Sequence, residues 1–323
     1  MSSPNDSQPP RLTVKGIGEL DWEEFQPLID QIRHKRRAPT NLFHYTDING
    51  LNGLIETDAL QASNVLFMND SSEVFHSLDF ITSCLEERFP DNASLAPAQF
   101  TVKIMFEQFI EHAENFAKAY VSCFCKKDDL LSQWRAYGDG QTCYSAKFST
   151  RPFIAHSRPT TFLGPVEYDP RKKRDWANKL IEGALRTFAK FDIDEAPLTG
   201  DTLTELIKYF SFPFMASALF MKHEAFKEEG EWRLVHFPSM QDGDPAPIEF
   251  KTRAGIVVPY VDLRVQNGDG SDSILPLTQV LIGPSSSADM AKRGLLELLS
   301  KGQHSDVVVI VSETPLRLES RRH

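Results

Sequence analysis

The order in which strand-like and helix-like segments follow one another constrains the fold of this chain most. Short apolar runs of strand type begin at residue 41, a mostly helical block covers residues 171–226, and strand-like runs return after that block. No internal repeat or clean linker divides the 323 residues, a length that allows one large domain or two modest ones. Strands on both sides of a helical middle favour one α+β domain with helical insertions. A separate helical subdomain over residues 171–226 is the alternative.

The periodic segments also predict how the chain is divided. Residues 1–12 are polar and rich in Pro and Ser, which is typical of a disordered terminus. Apolar residues at helical spacing predict an N-terminal helix within residues 13–40. A single domain is then predicted over residues 41–318, with helical insertions near 69–117 and 171–226.

An acidic pair opens an apolar strand-like run late in the chain, at Glu229 and Glu231. Because strand side chains alternate between faces, Glu229, Glu231 and Arg233 are predicted to share one face of a strand. Gly230 between the two acids leaves room for a ligand or a second backbone. Two neighbouring carboxylates do not both ionise cheaply, so one of them is a candidate for a perturbed pKa and a catalytic role. The alternative is a solvated strand edge with a weak Glu231–Arg233 pair.

Charge and cysteine content narrow the function classes. A formal net charge of -10 argues against broad, nonspecific binding to nucleic acid or anionic membranes. Four cysteines in 323 residues form no disulfide framework, and Cys123-x-Cys125 lacks the second ligand pair of a zinc site, so no metal site is predicted. The N-terminus lacks the apolar core of a signal peptide, and no apolar run approaches a membrane-spanning length. We therefore expect an intracellular, soluble and reduced protein that is located in the cytoplasm.

Four short segments occur in an order that resembles a known family: Phe43–Thr46, Asn69–Glu73, Trp134–Gly138 and Glu229–Arg233. This combination is similar to a widespread, uncharacterised bacterial family that is placed near the ADP-ribosyltransferases, and the resemblance covers most of residues 41–317. The resemblance implies an α+β fold with an ADP-ribosyltransferase-like split β-sheet and helical insertions. The first segment also looks like the opening of the toxin enzymes that ADP-ribosylate DNA.

The same resemblance implies roles for individual residues. His44 would be the first element of a three-part signature and donate to a ribose hydroxyl, and Tyr137 or Tyr144 would supply a ring that stacks on nicotinamide. Glu231 would be the late catalytic glutamate, and Glu229 would complete the Glu-x-Glu form of the signature. Arg135 would clamp the diphosphate, and the remaining expected cofactor-binding residues are Tyr45, Thr46, Asn69, Trp134 and Arg233, with Asp70 and Glu73 as possible pocket residues. Tyr45 stands where many members have Gly, and the Ser-Thr-Ser middle motif of the Arg-type branch is absent.

NAD is accordingly the expected substrate. Cleavage of its nicotinamide–ribose bond builds an oxocarbenium-like cation, which a fixed carboxylate such as Glu231 stabilises, while Glu229 orients or activates the acceptor. ADP-ribose would pass to a macromolecule, protein or nucleic acid, or to water, and the family resemblance suggests a toxin or phage-defence effector. The competing hypothesis is a noncatalytic nucleotide-binding sensor or interaction module on the same fold. A nuclease is a third hypothesis, and it predicts dependence on a divalent metal.

Structural roles remain open for several of these residues. His44 is also compatible with a satisfied core histidine on a buried strand. Core aromatics are the ordinary interpretation of Trp134, Tyr137 and Tyr144. The segment Asn69-Asp70-Ser71 is also typical of a helix N-cap. The pair Lys222-His223 either balances the acidic pair or ends a helix.

Overall fold

The computed structural model describes most of the chain. The described residues are 12–14, 18–20, 23–33, 38–68, 72–91, 93–112, 119–138, 142–155, 161–190, 200–237, 247–253, 255–266, 271–285 and 287–314. Within them the fold is a mixed α+β structure with two main sheets and several helices.

The helices and strands alternate irregularly along the chain. The helices are α1 (Gln26–Arg33), α2 (Ile48–Thr57), α3 (Ser72–Arg88), α4 (Pro97–Glu111), α5 (Leu131–Gly138), α6 (Arg151–Ala155), α7 (Pro170–Ala189), α8 (Gly200–Leu219) and α9 (Ala288–Ser300). The strands are β1 (Leu12–Val14), β2 (Gly18–Leu20), β3 (Asn41–Thr46), β4 (Leu60–Asn64), β5 (Tyr120–Phe124), β6 (Tyr144–Ser149), β7 (Thr161–Pro165), β8 (Trp232–His236), β9 (Glu249–Arg253), β10 (Ile256–Leu263), β11 (Val265–Gln266), β12 (Asp272–Ser273), β13 (Leu277–Ile282) and β14 (Val308–Val311). Short 3-10 helices cover Glu23–Phe25, Val65–Phe67 and Glu224–Glu229.

Two sheets carry the fold and meet at one point. The larger sheet has the order β7-β8-β5-β4-β10-β9 and is antiparallel throughout. The smaller sheet has the order β14-β13-β6-β3, in which only β13 and β14 run parallel. An isolated bridge joins them, because Phe43 N donates to Cys125 O (3.0 Å) and Cys125 N donates to Phe43 O (2.7 Å). This junction brings β3 alongside the end of β5.

Apolar side chains fill two layers on either side of the larger sheet. Helices α3, α4, α7 and α8 pack on one face, where Phe106, Trp176 and Phe214 are buried with Val121 and Val235 of the sheet. The second layer lies between the two sheets and also receives α2 and α9; its members include Leu42, Phe124, Phe148, Trp232 and Leu295. The larger sheet is therefore a central layer, and burial of these faces is the main stabilising term.

The local pattern around β3 and α2 shows why these residues fold as they do. Asp47 caps α2, since its carboxylate accepts a hydrogen bond from Gly50 N at 2.8 Å. The apolar face of α2, with Leu51, Leu54 and Ile55, is buried between the sheets. At its end, Asp58 takes a left-handed conformation with φ 50° and stops the helix.

Two predicted segments can be compared with the structure. In its described residues the helical block of residues 171–226 contains α7, α8 and a 3-10 helix, and both long helices share one apolar core with the larger sheet. The predicted N-terminal helix is present as the short α1, but it follows a β1–β2 pair that the sequence does not predict. Residues 1–11, which fall in the predicted disordered terminus, lie outside the described residues. Every helix in the described part of the chain is too short or too polar to cross a membrane.

Candidate functional site

Five charged side chains converge at the edge of the helical layer, and we call them the charge cluster. Glu73 comes from the first turn of α3, and Lys222 follows α8. Glu229 ends the 3-10 helix, Glu231 lies directly before β8, and Arg233 lies on β8. These residues come from three regions of the chain, so only the tertiary fold brings them together.

The hydrogen bonds of the charge cluster alternate acids and bases. Lys222 Nζ lies 2.6 Å from Glu229 Oε2, 2.9 Å from Glu73 Oε1 and 3.1 Å from Glu231 Oε2. Arg233 contacts Glu231 Oε1 through Nε (2.7 Å) and Glu73 Oε2 through Nη2 (2.7 Å). Its Nη1 donates to the carbonyl of Leu219 (2.6 Å). Three carboxylates thus share two cations, and the fully ionised cluster carries one excess negative charge.

The backbone at Gly230 explains how both acids reach one lysine. Gly230 has φ 51°, a left-handed conformation that ends the 3-10 helix and reverses the chain before β8. The prediction that Glu229, Glu231 and Arg233 share one strand face is wrong for Glu229, because the strand begins only at Trp232. The turn, and not strand alternation, brings Glu229 beside Glu231.

Burial and charge separate the pKa values of the two neighbouring acids. Burial alone would raise the pKa of Glu231, which is 5% exposed, but Arg233 and Lys222 lower it to about 2. Burial raises the pKa of Glu229 above its ordinary value, although Lys222 opposes this. Burial lowers the pKa of Lys222, but the surrounding carboxylates outweigh that effect and raise it. Glu231 is therefore ionised at neutral pH, whereas Glu229 is more easily protonated.

Three uncharged side chains complete the surroundings of Glu231. The thiol of Cys123 lies close enough to help lower the pKa of this carboxylate, and burial holds the pKa of the thiol well above its usual range. The hydroxyl of Tyr168 accepts the backbone N–H of Glu231 at 3.0 Å. Tyr137 is half-buried and close enough that the charges of Glu229 and Glu231 contribute to raising its pKa, after burial.

His44 approaches the same strand from the sheet junction. Its Nδ1 donates to the carbonyl of Cys123 at 2.8 Å, so His44 and Glu231 contact the same residue, one through its backbone and the other through its side chain. Burial lowers the pKa of His44. A neutral imidazole with its proton on Nδ1 leaves Nε2 as an acceptor. In the structure the free ring nitrogen of His44 is therefore an acceptor, whereas the resemblance implies a donor role for this side chain.

Tyr45 and Trp134 belong to the core beside this site. The hydroxyl of Tyr45 donates to Lys127 O (3.0 Å) and accepts from Leu130 N (2.9 Å). Trp134 is 1% exposed, its indole N–H donates to Asp129 (2.5 Å), and its ring contacts Tyr45 with centroids 4.8 Å apart. Tyr137 stacks on Tyr45 with centroids 6.4 Å apart. Of these three predicted aromatic residues, Tyr137 is the one whose pKa the charges of Glu229 and Glu231 help to raise, and Tyr45 packs between it and Trp134.

The other predicted residues lie apart from the charge cluster. Tyr144 is buried between the two sheets, and Thr46 is buried beneath the first turn of α2, where a side chain at Gly50 would collide with it. Arg135 is exposed on α5. Asn69 and Asp70 lie outside the described residues.

Some of the site was not predicted from the sequence. The sequence allows two interpretations of Lys222, which either balances the acidic pair or ends a helix. Its contact with three carboxylates depends on the positions of α3 and β8. Nothing in the sequence pattern marks Tyr168 or the thiol of Cys123. A useful signal was present at Gly230, since glycine between two acids is typical of a left-handed turn as well as of close approach.

A surface pocket of about 450 Å³ lies elsewhere, at the end of α2. Its lining is formed by Glu56, Thr57, Asp58, Arg264, Asp272, Ser273, Ile274 and Gln303. None of the predicted site residues lines it. We take the charge cluster as the candidate site because its charges are largely buried and the pKa values of Glu229 and Glu231 are shifted in opposite directions, which is typical of reactive groups. Among the described residues, no group of three His, Cys, Asp or Glu side chains is placed to hold a metal ion.

Comparison with known proteins identifies a family of unknown function. A family model described as "Protein of unknown function (DUF2971)" matches residues 133–234. This range includes Tyr137, Lys222, Glu229, Glu231 and Arg233. Over these residues, about a third of the chain, the protein is similar to an uncharacterised domain family, and the relation to ADP-ribosyltransferases stays a prediction. No curated protein and no solved structure matches the chain.

Proposed function

We propose that the protein cleaves the nicotinamide–ribose bond of NAD and transfers ADP-ribose to a macromolecular acceptor or to water. The charge cluster is the proposed catalytic centre. The single observation that carries this proposal is the pair Glu229 and Glu231, two carboxylates on one lysine whose pKa values are moved in opposite directions. Acid and base roles in glycosyl transfer require this kind of separation.

Glu231 supplies the fixed negative charge in this mechanism. Because its pKa is about 2, it stays ionised at any physiological pH. Arg233 and Lys222 hold its oxygens, so its carboxylate does not reorient while the oxocarbenium-like cation develops. Preorganised charge of this kind stabilises a transition state more than the ground state.

Glu229 is the proposed general base. Its side chain is 15% exposed, more than that of Glu231, and its raised pKa brings it closer to neutral pH. Proton transfer is most effective when the pKa of the base lies near the working pH. Glu229 would therefore take the proton from the hydroxyl of the acceptor or from water as the new bond to ribose forms.

His44 and Tyr137 are proposed to position the nucleotide. Nε2 of His44 would accept a hydrogen bond from a ribose hydroxyl, and the half-buried ring of Tyr137 would stack on nicotinamide. The proposed NAD substrate rests on the resemblance of the chain to the ADP-ribosyltransferases, together with these site groups. A role as a toxin or phage-defence effector rests on that resemblance alone.

A noncatalytic nucleotide-binding module is the second candidate. One observation favours it: Glu231 is 5% exposed and both of its oxygens are already bonded to cations. A buried, fully paired acid is compatible with a structural ion network that has no chemistry of its own.

Nicotinamide release from NAD separates the two candidates. The wild-type protein is expected to release nicotinamide. Glu231→Gln is expected to lower the rate of release at least about a hundredfold, because the fixed charge is lost. Glu229→Gln is expected to lower the rate about tenfold or more, because the general base is lost. Glu228→Gln is the matched control, because Glu228 is an exposed acid on the same 3-10 helix. NAD bound by the wild-type protein without any release of nicotinamide would instead support the binding module.

A further inference from the structure

A second polar group lies on the larger sheet, away from the charge cluster. Strand pairing places Lys251 opposite Val258, Tyr260 opposite Ser63, and Asp262 opposite Gln61. Because paired residues share a face and strand residues alternate, Lys251, Tyr260, Asp262 and Gln61 all lie on one face. Each of these four residues is half-buried. His44 is close enough for the charge of Lys251 to affect its pKa, so this face leads towards the sheet junction.

The charged side chains of Lys251 and Asp262 are partly removed from water, and neither forms an ion pair with a described residue. Lys251 Nζ reaches Gln61 Oε1 only at 3.4 Å and lies 5.0 Å from the centroid of the Tyr260 ring. Among the described residues, no carboxylate oxygen lies within 4.0 Å of Lys251 Nζ, the distance limit for a salt bridge. Asp262 Oδ1 is buried and has no hydrogen-bond partner among the described residues. A buried, unpartnered carboxylate oxygen costs free energy, so its retention calls for a donor that the protein itself does not supply.

The chemistry of a ligand that fits this site follows from the side chains of Lys251 and Asp262. The ammonium of Lys251 needs an acceptor, whereas Asp262 Oδ1 needs a donor. A phosphate would satisfy Lys251 but would be repelled by Asp262 and by Asp47, whose charge also acts on Lys251. A ligand cation would satisfy only Asp262. A hydroxyl both accepts and donates, and a vicinal diol bridges two separated side chains.

We propose that Lys251 and Asp262 bind the hydroxyl groups of a sugar, namely the ribose diol of a nucleotide. This inference rests on the proposed function for the identity of the ligand, and it adds a binding contact that lies outside the charge cluster. In the complex, Asp262 accepts a hydroxyl hydrogen and Lys251 donates to a hydroxyl oxygen. The site therefore selects ribonucleotides over nucleotides that lack both hydroxyls.

Calorimetric titration with ADP and with 2′,3′-dideoxy-ADP tests this selection without any turnover. Wild-type protein is expected to bind ADP about tenfold or more tightly, because hydrogen bonds to charged groups are stronger than neutral ones. Asp262→Ala and Lys251→Gln are each expected to reduce the preference to about twofold or less, with Asp262→Asn intermediate. Thr252→Ala is the matched control, since Thr252 is an exposed residue on the same strand as Lys251 and lies on the opposite face of the sheet. Cooperative thermal unfolding of each variant shows that it remains folded.

The outcomes separate this inference from the proposed function. Equal affinity of the wild-type protein for both nucleotides, binding of neither, or an unaltered preference in Asp262→Ala would overturn the sugar site. Nicotinamide release together with such a result would leave the proposed function intact. A preference that depends on Asp262 and Lys251 in a protein that releases no nicotinamide would support the sugar site and remove the catalytic proposal.

Discussion

Replacement of Glu231 by Gln measures how strongly the charge cluster stabilises the fold. Gln keeps the shape of the side chain and removes its charge, so it resembles the protonated acid. The pKa of Glu231 falls from 4.5 to about 2 in the folded protein. A difference of roughly two and a half units corresponds to about 3 kcal/mol of stability contributed by the ionised form.

The sign of the pH dependence follows from the direction of this shift. A carboxyl whose pKa is lowered on folding stabilises the protein fully above its unfolded pKa, and this contribution is lost as pH falls through the folded pKa. Wild-type protein should therefore exceed Glu231→Gln in free energy of unfolding by about 3 kcal/mol at pH 7. The difference should shrink between pH 4.5 and about pH 2, the two pKa values of Glu231.

Urea unfolding at pH 7, 5, 4 and 3, followed by circular dichroism, provides the measurement. Groups outside the charge cluster titrate alike in both proteins, so they cancel when the two free energies are subtracted. Glu228→Gln should match the wild-type protein at every pH, because Glu228 is exposed. A difference between wild-type and Glu231→Gln that is the same at pH 7 and pH 3, or that is absent at pH 7, would refute the assigned ion pairs.

Two further predictions concern the backbone around Glu231. Gly230→Ala should cost about 1 kcal/mol of stability because φ is positive there. A new Cβ would meet Lys126 at only an ordinary contact distance of 3.4 Å, so the backbone, and not a clash, sets this cost. Gly255→Ala should lower the free energy of unfolding by a similar amount but leave the rate of nicotinamide release unchanged. Gly230→Ala should lower that rate as well. Equal effects of the two substitutions on the rate would contradict the role of the turn at Gly230. Tyr168→Phe removes the acceptor of the Glu231 N–H and should cost about 1–3 kcal/mol in the same assay, and a loss below about 0.5 kcal/mol would argue against that hydrogen bond.

Elements with strong local signals could be predicted from the sequence. The segment from Asn41 to Thr57 contains a strand, an Asp cap and an apolar helix face, all of which depend on neighbours within a few residues. The last helix, Ala288–Ser300, depends on the same kind of local signal, apolar residues at helical spacing. The β1–β2 pair was missed because its strands have three residues each, too few to show a periodic pattern.

The site was only partly predictable because its contacts are long-range. Glu229 and Glu231 were paired correctly by their closeness in sequence, but their geometry depends on a left-handed turn and not on a strand. Glu73 meets Arg233 across 160 positions, a contact that no local pattern encodes. The pair Lys251 and Asp262 was missed entirely, since their relation appears only when β9 and β10 are aligned.

The bridge between Phe43 and Cys125 has a consequence for how the chain can vary. Both of its hydrogen bonds use main-chain atoms, so the join between the layers is indifferent to the chemistry of either side chain. Related chains are therefore free to exchange those two side chains for others of similar volume. Such exchanges would change the shape of the region between His44 and the acids Glu229 and Glu231, while the arrangement of the two sheets stays the same.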